Sequence, residues 1–227
     1  QILNRRHKEQ IARMATMRLR EKGFQNISID LMYGLPGETI EQWENDLQQA
    51  IALNVEHISA YHLTYEEGTP LYRRLQQGEV SEVNEELSLT FFNMLIDALT
   101  KADYQHYEIS NFCKPGMHSR HNSSYWQGIP YLGCGAAAHS FDGTSRQWNV
   151  ADIKNYIKGI DTNAPCYEIE ALDTPTRYNE YIMTGLRTSH GISFEEVANR
   201  FGQSLAASCK KSATPHLESG KLITEEN

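Results

Sequence analysis

Hydrophobic and polar positions change period several times along the chain, and each change marks an element. Residues 4–22 place Ile11, Met14, Ala15 and Met17 on one helical stripe, and Gly23 is set to end that helix. From Ile27 the pattern becomes a short apolar run to Tyr33, interrupted by the acid Asp30 and stopped by Gly34, Pro36 and Gly37. Such a run predicts a buried strand that closes on a tight turn. Thr39 and Gln42 have capping-box spacing ahead of Trp43, Leu47, Ala50 and Ile51 at helical intervals. A second apolar run, His57 to Leu63, completes a strand–helix–strand unit with parallel strands. In that geometry Asp30 and Thr64 lie near the carboxyl ends of neighbouring strands, the edge where α/β sheets and barrels hold ligands.

The pattern continues with a turn from Glu66 to Pro70, where Pro70 opens a short helix that Gly78 closes. A long amphipathic helix is predicted from about Asn84 to Lys101, with Leu87, Phe91, Met94, Leu95 and Ala98 on one side and acids at its front. Tyr104 to Ser110 alternates and reads as a strand, and Pro115-Gly116 is a break. Further on, Thr174-Pro175 starts a helix that buries Tyr178, Tyr181, Ile182 and Leu186 along one face. Ser193 and Glu196 form another capping box, for a helix ending near Phe201-Gly202. A third helix runs to Gly220, and Leu222 to Thr224 reads as a strand. Three helices feeding a strand resemble a winged-helix module. The pattern divides the chain into 1–103, 104–170 and 171–227.

Composition narrows the function classes. With 227 residues, 40% hydrophobic and 22% charged, the chain is an ordinary globular protein able to bury a full core. Its formal net charge of −8, without any run of lysines and arginines, speaks against nucleic acid as a partner. No apolar stretch approaches the roughly 20 residues of a membrane-spanning helix. Cys113, Cys134, Cys166 and Cys209 are scattered with no C-x-x-C pair, which suits isolated reduced thiols in a cytoplasmic protein. Both ends read as cut, since Gln1 leads straight into a helix and Asn227 follows a strand with nothing after it.

Two places carry candidate chemistry. An acid in an apolar strand is unfavourable unless it is paired, so Asp30 either caps a neighbouring loop or meets a ligand. The stretch from His118 to Trp126 holds two histidines, an arginine and two aromatic residues. It precedes a small-residue loop, Gly133 to Ala138, that ends at His139. A loop of this kind lets the backbone approach a flat or bulky ligand. Each histidine singly is as well explained as a satisfied polar or surface residue. His121 and His139 flanking this loop, beside Tyr125 and Trp126, point towards a ligand.

These motifs resemble a known family. Asp30-Leu-Met-Tyr-Gly-Leu-Pro-Gly-Glu-Thr39 is similar to the D-L-I-Y-G-L-P-x-Q-T signature of oxygen-independent coproporphyrinogen III oxidases and related radical S-adenosylmethionine (SAM) proteins. Thr64 to Pro70, Tyr107 to Phe112 and Gly135 to Phe141 resemble the same group. Arg120-His-Asn-Ser-Ser-Tyr-Trp126 is similar to the H-N-x-x-Y-W signature of its heme-chaperone branch, the HemW-type proteins, and Trp148-Asn-Val150 fits that branch too.

The resemblance implies the C-terminal part of a partial (β/α)6 radical-SAM barrel in 1–103. An α+β connecting region with the H-N-x-x-Y-W motif follows in 104–170, then a winged-helix-like domain in 171–227. It implies SAM contacts at Arg5, Asp30 and Thr64. His121 is implied as an axial ligand to heme iron, with His139 as a second candidate. The family's C-x3-C-x2-C motif, which ligates a 4Fe–4S cluster, has no counterpart in this sequence. The chain as given is therefore expected to lack radical chemistry, and whether the protein is an enzyme stays open. The implied function is binding of heme and its delivery to apo-hemoproteins in the cytoplasm. The alternative is oxidative decarboxylation of coproporphyrinogen III to protoporphyrinogen IX. A membrane-associated acceptor and a homodimer formed through an open sheet edge also stay open.

Overall fold

The computed structural model describes residues 9–225, which divide into two units between Ser119 and Arg120. The first unit begins with helix α1 (Glu9–Glu21), strand β1 (Ser28–Tyr33), helix α2 (Ile40–Ala52) and strand β2 (His57–His62). Helices α3 (Pro70–Gln76) and α4 (Glu85–Lys101) follow, then strands β3 (Gln105–Glu108) and β4 (Asn111–Cys113). The sheet order is β1-β2-β4-β3, with β1 and β2 parallel and Asp30 opposite Ser59. Strand β4 runs antiparallel to β2, with His57 opposite Cys113.

Local chemistry accounts for most of these boundaries. Thr39 Oγ1 accepts the Gln42 N–H, and Gln42 Oε1 accepts the Thr39 N–H, so the expected capping box closes reciprocally. Asn84 caps α4, and Pro70 sits at the first position of α3 behind its cap, Thr69. Gly34 has φ +75°, and a Cβ there would lie 2.5 Å from His62 Nε2, so both backbone and space demand glycine.

One face of the sheet is apolar: Ile58, Ala60, Tyr33 and Phe112 pack with Trp43 and Leu47 of α2 and Phe91, Leu95 and Leu99 of α4. The Trp43 indole N–H donates to the Phe91 carbonyl at 3.0 Å within this layer. Residues 104–110 form half of a hairpin instead of one strand. The chain turns at Ile109-Ser110, and Asn111–Cys113 returns to pair with β2. This pairing carries residues 105–113, grouped by pattern with 104–170, into the first unit. The stripe Ile11, Met14 and Met17 of α1 is exposed, and Thr16 is its buried residue. Polar contacts set that orientation: Arg13 bonds Gln49, and Arg20 reaches Glu56 with two contacts of 2.8 Å.

The second unit contains helix α5 (Arg120–Trp126), strands β5 (His139–Phe141) and β6 (Ser145–Asn149), helix α6 (Ile153–Asp161) and strand β7 (Tyr167–Ala171). Helices α7 (Thr174–Gly185), α8 (Phe194–Phe201) and α9 (Gln203–Glu218) complete it. Its sheet is antiparallel in the order β5-β6-β7. Asp142 accepts the Thr144 and Ser145 N–H groups and so builds the β5–β6 turn, which holds its carboxyl well below the usual range.

The helices gather around Val197, Ala206 and Cys209, with Tyr178, Tyr181 and Ile182 packed against them, while Leu186 is exposed rather than buried. Ser193 caps α8, but Glu196 does not close a box, because its carboxylate binds the Tyr181 hydroxyl and Arg200. Residues 222–224 form no strand. The Lys221 and Leu222 N–H groups turn back to the His216 carbonyl, which wraps the end of α9.

Candidate functional site

Alternation in the first sheet puts polar residues opposite its apolar layer. Ser28 and Asp30 of β1 lie on this second face with His57 and Ser59 of β2 and with Asn111 and Cys113 of β4. His57 is buried and links two elements: Nδ1 lies 2.7 Å from Ser28 Oγ, and Nε2 lies 2.7 Å from the Tyr107 hydroxyl. The Tyr107 oxygen also accepts the Ser119 N–H at 3.3 Å. Burial holds the His57 imidazole below its usual pKa, with the Asp30 carboxylate opposing and His118 assisting. Burial also pushes the Tyr107 hydroxyl up to about 12. His57 is therefore neutral at neutral pH.

Asp30 is exposed in the middle of β1, not buried and not at the strand's carboxyl end. No ion pair engages it among the described residues. It needs no buried partner because β1 is an edge strand whose second face is open to water at this position. Thr64 is exposed in the loop after β2, and Arg5 lies outside the described residues. Beside Asp30 the Ser28 hydroxyl is held by His57, so this face offers a carboxylate and an anchored hydroxyl to hydrogen-bond donors on a ligand. That chemistry fits the ribose hydroxyls or amine of SAM. Among the described residues no group of three or more His, Cys, Asp or Glu is placed to hold a metal ion.

In the second unit, His121 lies exposed on α5, one turn before Tyr125. The Tyr125 hydroxyl lies 3.3 Å from His121 Nε2, and the two rings meet edge to face at 5.0 Å. Tyr125 continues edge-on to Tyr131, and Tyr131 meets Phe141 at 6.2 Å. The imidazole thus heads an aromatic row, where a long and weak hydrogen bond is easily exchanged for a metal bond. Trp126 carries the Arg187 guanidinium over its ring at 5.3 Å. His139, at the start of β5, stacks instead on Trp148 at 6.0 Å. The two histidines thus have different neighbours, and no contact joins them among the described residues.

The motif reading gave no site role to Ser28 or His57, nor to Tyr107 and Trp148, although the last two stand in motifs it named. A signal for Ser28 and His57 was present, since polar residues recur at alternate positions of two apolar runs. Their pairing needed the β1–β2 register.

Comparison with known proteins places this geometry in a lineage. Residues 172–227 match the HemN C-terminal domain family. Over 204 residues the chain is 36% identical to the heme chaperone HemW of Bacillus subtilis, covering 89% of this chain and 54% of that protein. It is 33% identical over 199 residues to HemW of Lactococcus lactis, covering 88% and 52%. A mitochondrial radical S-adenosyl methionine domain-containing protein 1 from Danio rerio is 27% identical over 210 residues, covering 86% and 46%. The chain spans about half the length of these curated relatives. In structure it superimposes on coproporphyrinogen III oxidase (HemN) of Escherichia coli, a radical SAM enzyme, with a TM-score of 0.78 at 20% identity. That match covers all of this chain and 56% of the other. The mixed α/β fold is therefore the HemN fold, and its open four-stranded sheet is consistent with part of a barrel. By sequence the chain is similar to the HemW heme chaperones, residues 172–227 match the HemN C-terminal domain, and by structure the chain has the HemN fold.

Proposed function

We propose that this protein is a heme chaperone, which binds heme through His121 and passes it to apo-hemoproteins. The observation that carries the reading is an exposed imidazole on α5 whose Nε2, among the described residues, is held only by the Tyr125 hydroxyl at 3.3 Å. A surface ligand backed by aromatic rings can take an iron tetrapyrrole and release it again, as delivery requires. The relatives named heme chaperone HemW support this reading. For SAM we propose the Asp30 carboxylate as the acceptor of ribose or amine protons, Thr64 as a shaping contact, and Arg5 as partner of the carboxylate. No helix among the described residues is long and apolar enough to cross a membrane, which agrees with action in the cytoplasm. A membrane-associated acceptor, and self-association through the β1 edge, belong to the same proposal.

The test is heme titration of the cluster-reconstituted full-length protein, read by Soret absorbance and by transfer to an apo-hemoprotein. His121→Ala is expected to weaken heme binding at least tenfold and to shift the Soret band. An unchanged spectrum would remove His121 as the ligand. Anaerobic turnover of coproporphyrinogen III to protoporphyrinogen IX by the same protein would replace the chaperone reading with the oxidase one.

A further inference from the structure

The small sheet of the second unit leaves one of its two edges open. On the β5 side, Tyr131 and Phe141 exchange two backbone hydrogen bonds of 2.9 Å, so that edge is paired there. On the other side, β7 pairs only with β6 among the described residues. The Val150 N–H donates to the Cys166 carbonyl and the Leu172 N–H to the Thr144 carbonyl, which fixes the residues of β7 that face β6. In an antiparallel ladder, hydrogen-bonded pairs alternate with non-bonded ones. Glu168 and Glu170 therefore direct their backbone groups to Trp148 and Arg146, whereas Tyr167, Ile169 and Ala171 turn theirs outward. No backbone hydrogen bond reaches those outward groups among the described residues. Every residue of β7 is exposed, Ile169 at 63%. Alternation puts Tyr167, Ile169 and Ala171 on one face and Glu168 and Glu170 on the other. Neither carboxylate makes an ion pair among the described residues, because Arg146, opposite Glu170, is engaged by Glu180 at 2.9 Å.

We propose that β7 is a docking strand, which takes an extended segment of a partner protein as a fourth strand of the sheet, and that this segment alternates basic with apolar residues. The outward N–H and C=O groups of Tyr167, Ile169 and Ala171 supply bonds that any backbone can meet, and the two faces of the strand supply the selection. Opposite Glu168 and Glu170 a lysine or arginine is favoured, and opposite Tyr167 and Ile169 a β-branched or aromatic side chain extends the apolar face. A second copy of this chain does not meet the pattern. Pairing β7 centrally with itself sets Glu168 against Glu170, and like charges directly opposite are unfavourable. Charged side chains guard edge strands against indiscriminate pairing. Here both charges are acidic and share one face, so they turn away other acidic strands and admit a basic one. The surface is separate from Asp30 and His121 and stands whether or not the chain binds heme.

The experiment adds fluorescent synthetic peptides to the full chain and reads affinity by anisotropy. One peptide alternates lysine with valine, a second carries glutamate in place of each lysine, and a third is the lysine peptide N-methylated at every residue. The lysine peptide is expected to bind at least tenfold more tightly than either of the others. It should also slow amide exchange at Tyr167, Ile169 and Ala171 at least tenfold. These arms use the unmutated chain, so a misfolded variant cannot hide the answer. Ile169→Pro removes an outward N–H that β6 does not use, and proline is tolerated at such an edge position. It should weaken the lysine peptide at least tenfold, while Ile169→Ala, which keeps the N–H, stays much closer to the unmutated chain. Exchanging both glutamates, Glu168→Lys with Glu170→Lys, should reverse the preference between the lysine and glutamate peptides. Equal binding of those two peptides by the unmutated chain overturns the proposal. So does undiminished binding of the N-methylated peptide, or the absence of any binding or amide protection. Self-association of the chain that Ile169→Pro abolishes, without binding of the lysine peptide, would give the edge to a second copy and overturn the partner strand.

Discussion

The two units bury their side chains on different scales. In the first, Trp43, Phe91, Phe112, Leu95 and Leu99 are fully buried between a sheet and two long helices. In the second, the helical cluster centres on Val197, Ala206 and Cys209, and every residue of β7 is exposed. Ile153, Ile157 and Ile160 line α6 in the open. The polar chemistry differs in the same sense. His57 and Tyr107 are locked into a satisfied buried network, whereas His121 and His139 stand at the surface with their bonding capacity almost unused. A stiff layer thus carries the anchored face around Ser28 and Asp30, and a thinly packed one carries the candidate heme ligands. Binding groups that must take and release a ligand belong on the less stable elements.

The largest test of this contrast is core truncation. Phe112→Ala should cost about 3–5 kcal/mol in urea unfolding, because a fully buried ring leaves a cavity beneath two helices. Val197→Ala removes two buried methyl groups at about 0.8 kcal/mol each and should cost about 2 kcal/mol with its cavity. Equal losses at the two positions would erase the difference in packing. Next, Gly34→Ala should cost about 2 kcal/mol or more, since it adds left-handed strain of about 1–2 kcal/mol to a clash with the His62 ring. A neutral result would mean that His62 moves freely.

The smallest test uses pH. Burial works to raise the Glu56 carboxyl, but the Ile27 N–H and the Arg20 guanidinium outweigh it and leave its pKa lowered. A lowered carboxylate contributes stability that is full above the unfolded pKa of about 4.3 and fades as pH falls through the folded value. Glu56→Gln should therefore cost about 1–2 kcal/mol at pH 7, with a penalty that shrinks below about pH 4. A penalty independent of pH in urea titrations would make the pair a packing contact only.

What was readable in advance follows the same division between local and long-range causes. The capping box at Thr39 and the span of α4 depend on residues a few positions apart, the parallel β1–β2 unit on the helix that joins its strands, and each formed as expected. Asp30, Thr64, His121 and His139 were noticed because residue type and motif are local too. Their surroundings were not readable. The stripe of α1 has the period of a buried face, yet Arg13 and Arg20 turn it outward by bonding Gln49 and Glu56 more than thirty residues away. The alternation in 104–110 hid a turn, because a hairpin is decided by which strand is free to pair with it.

The sequence by itself determined periods, caps and the residues that could do chemistry, since these are properties of neighbours along the chain. Only the tertiary structure decided that Ser28 meets His57 and His57 meets Tyr107, and that His139 shares a cavity with Trp148 and Cys166. Those partners come together through strand register, and register is a property of two segments at once.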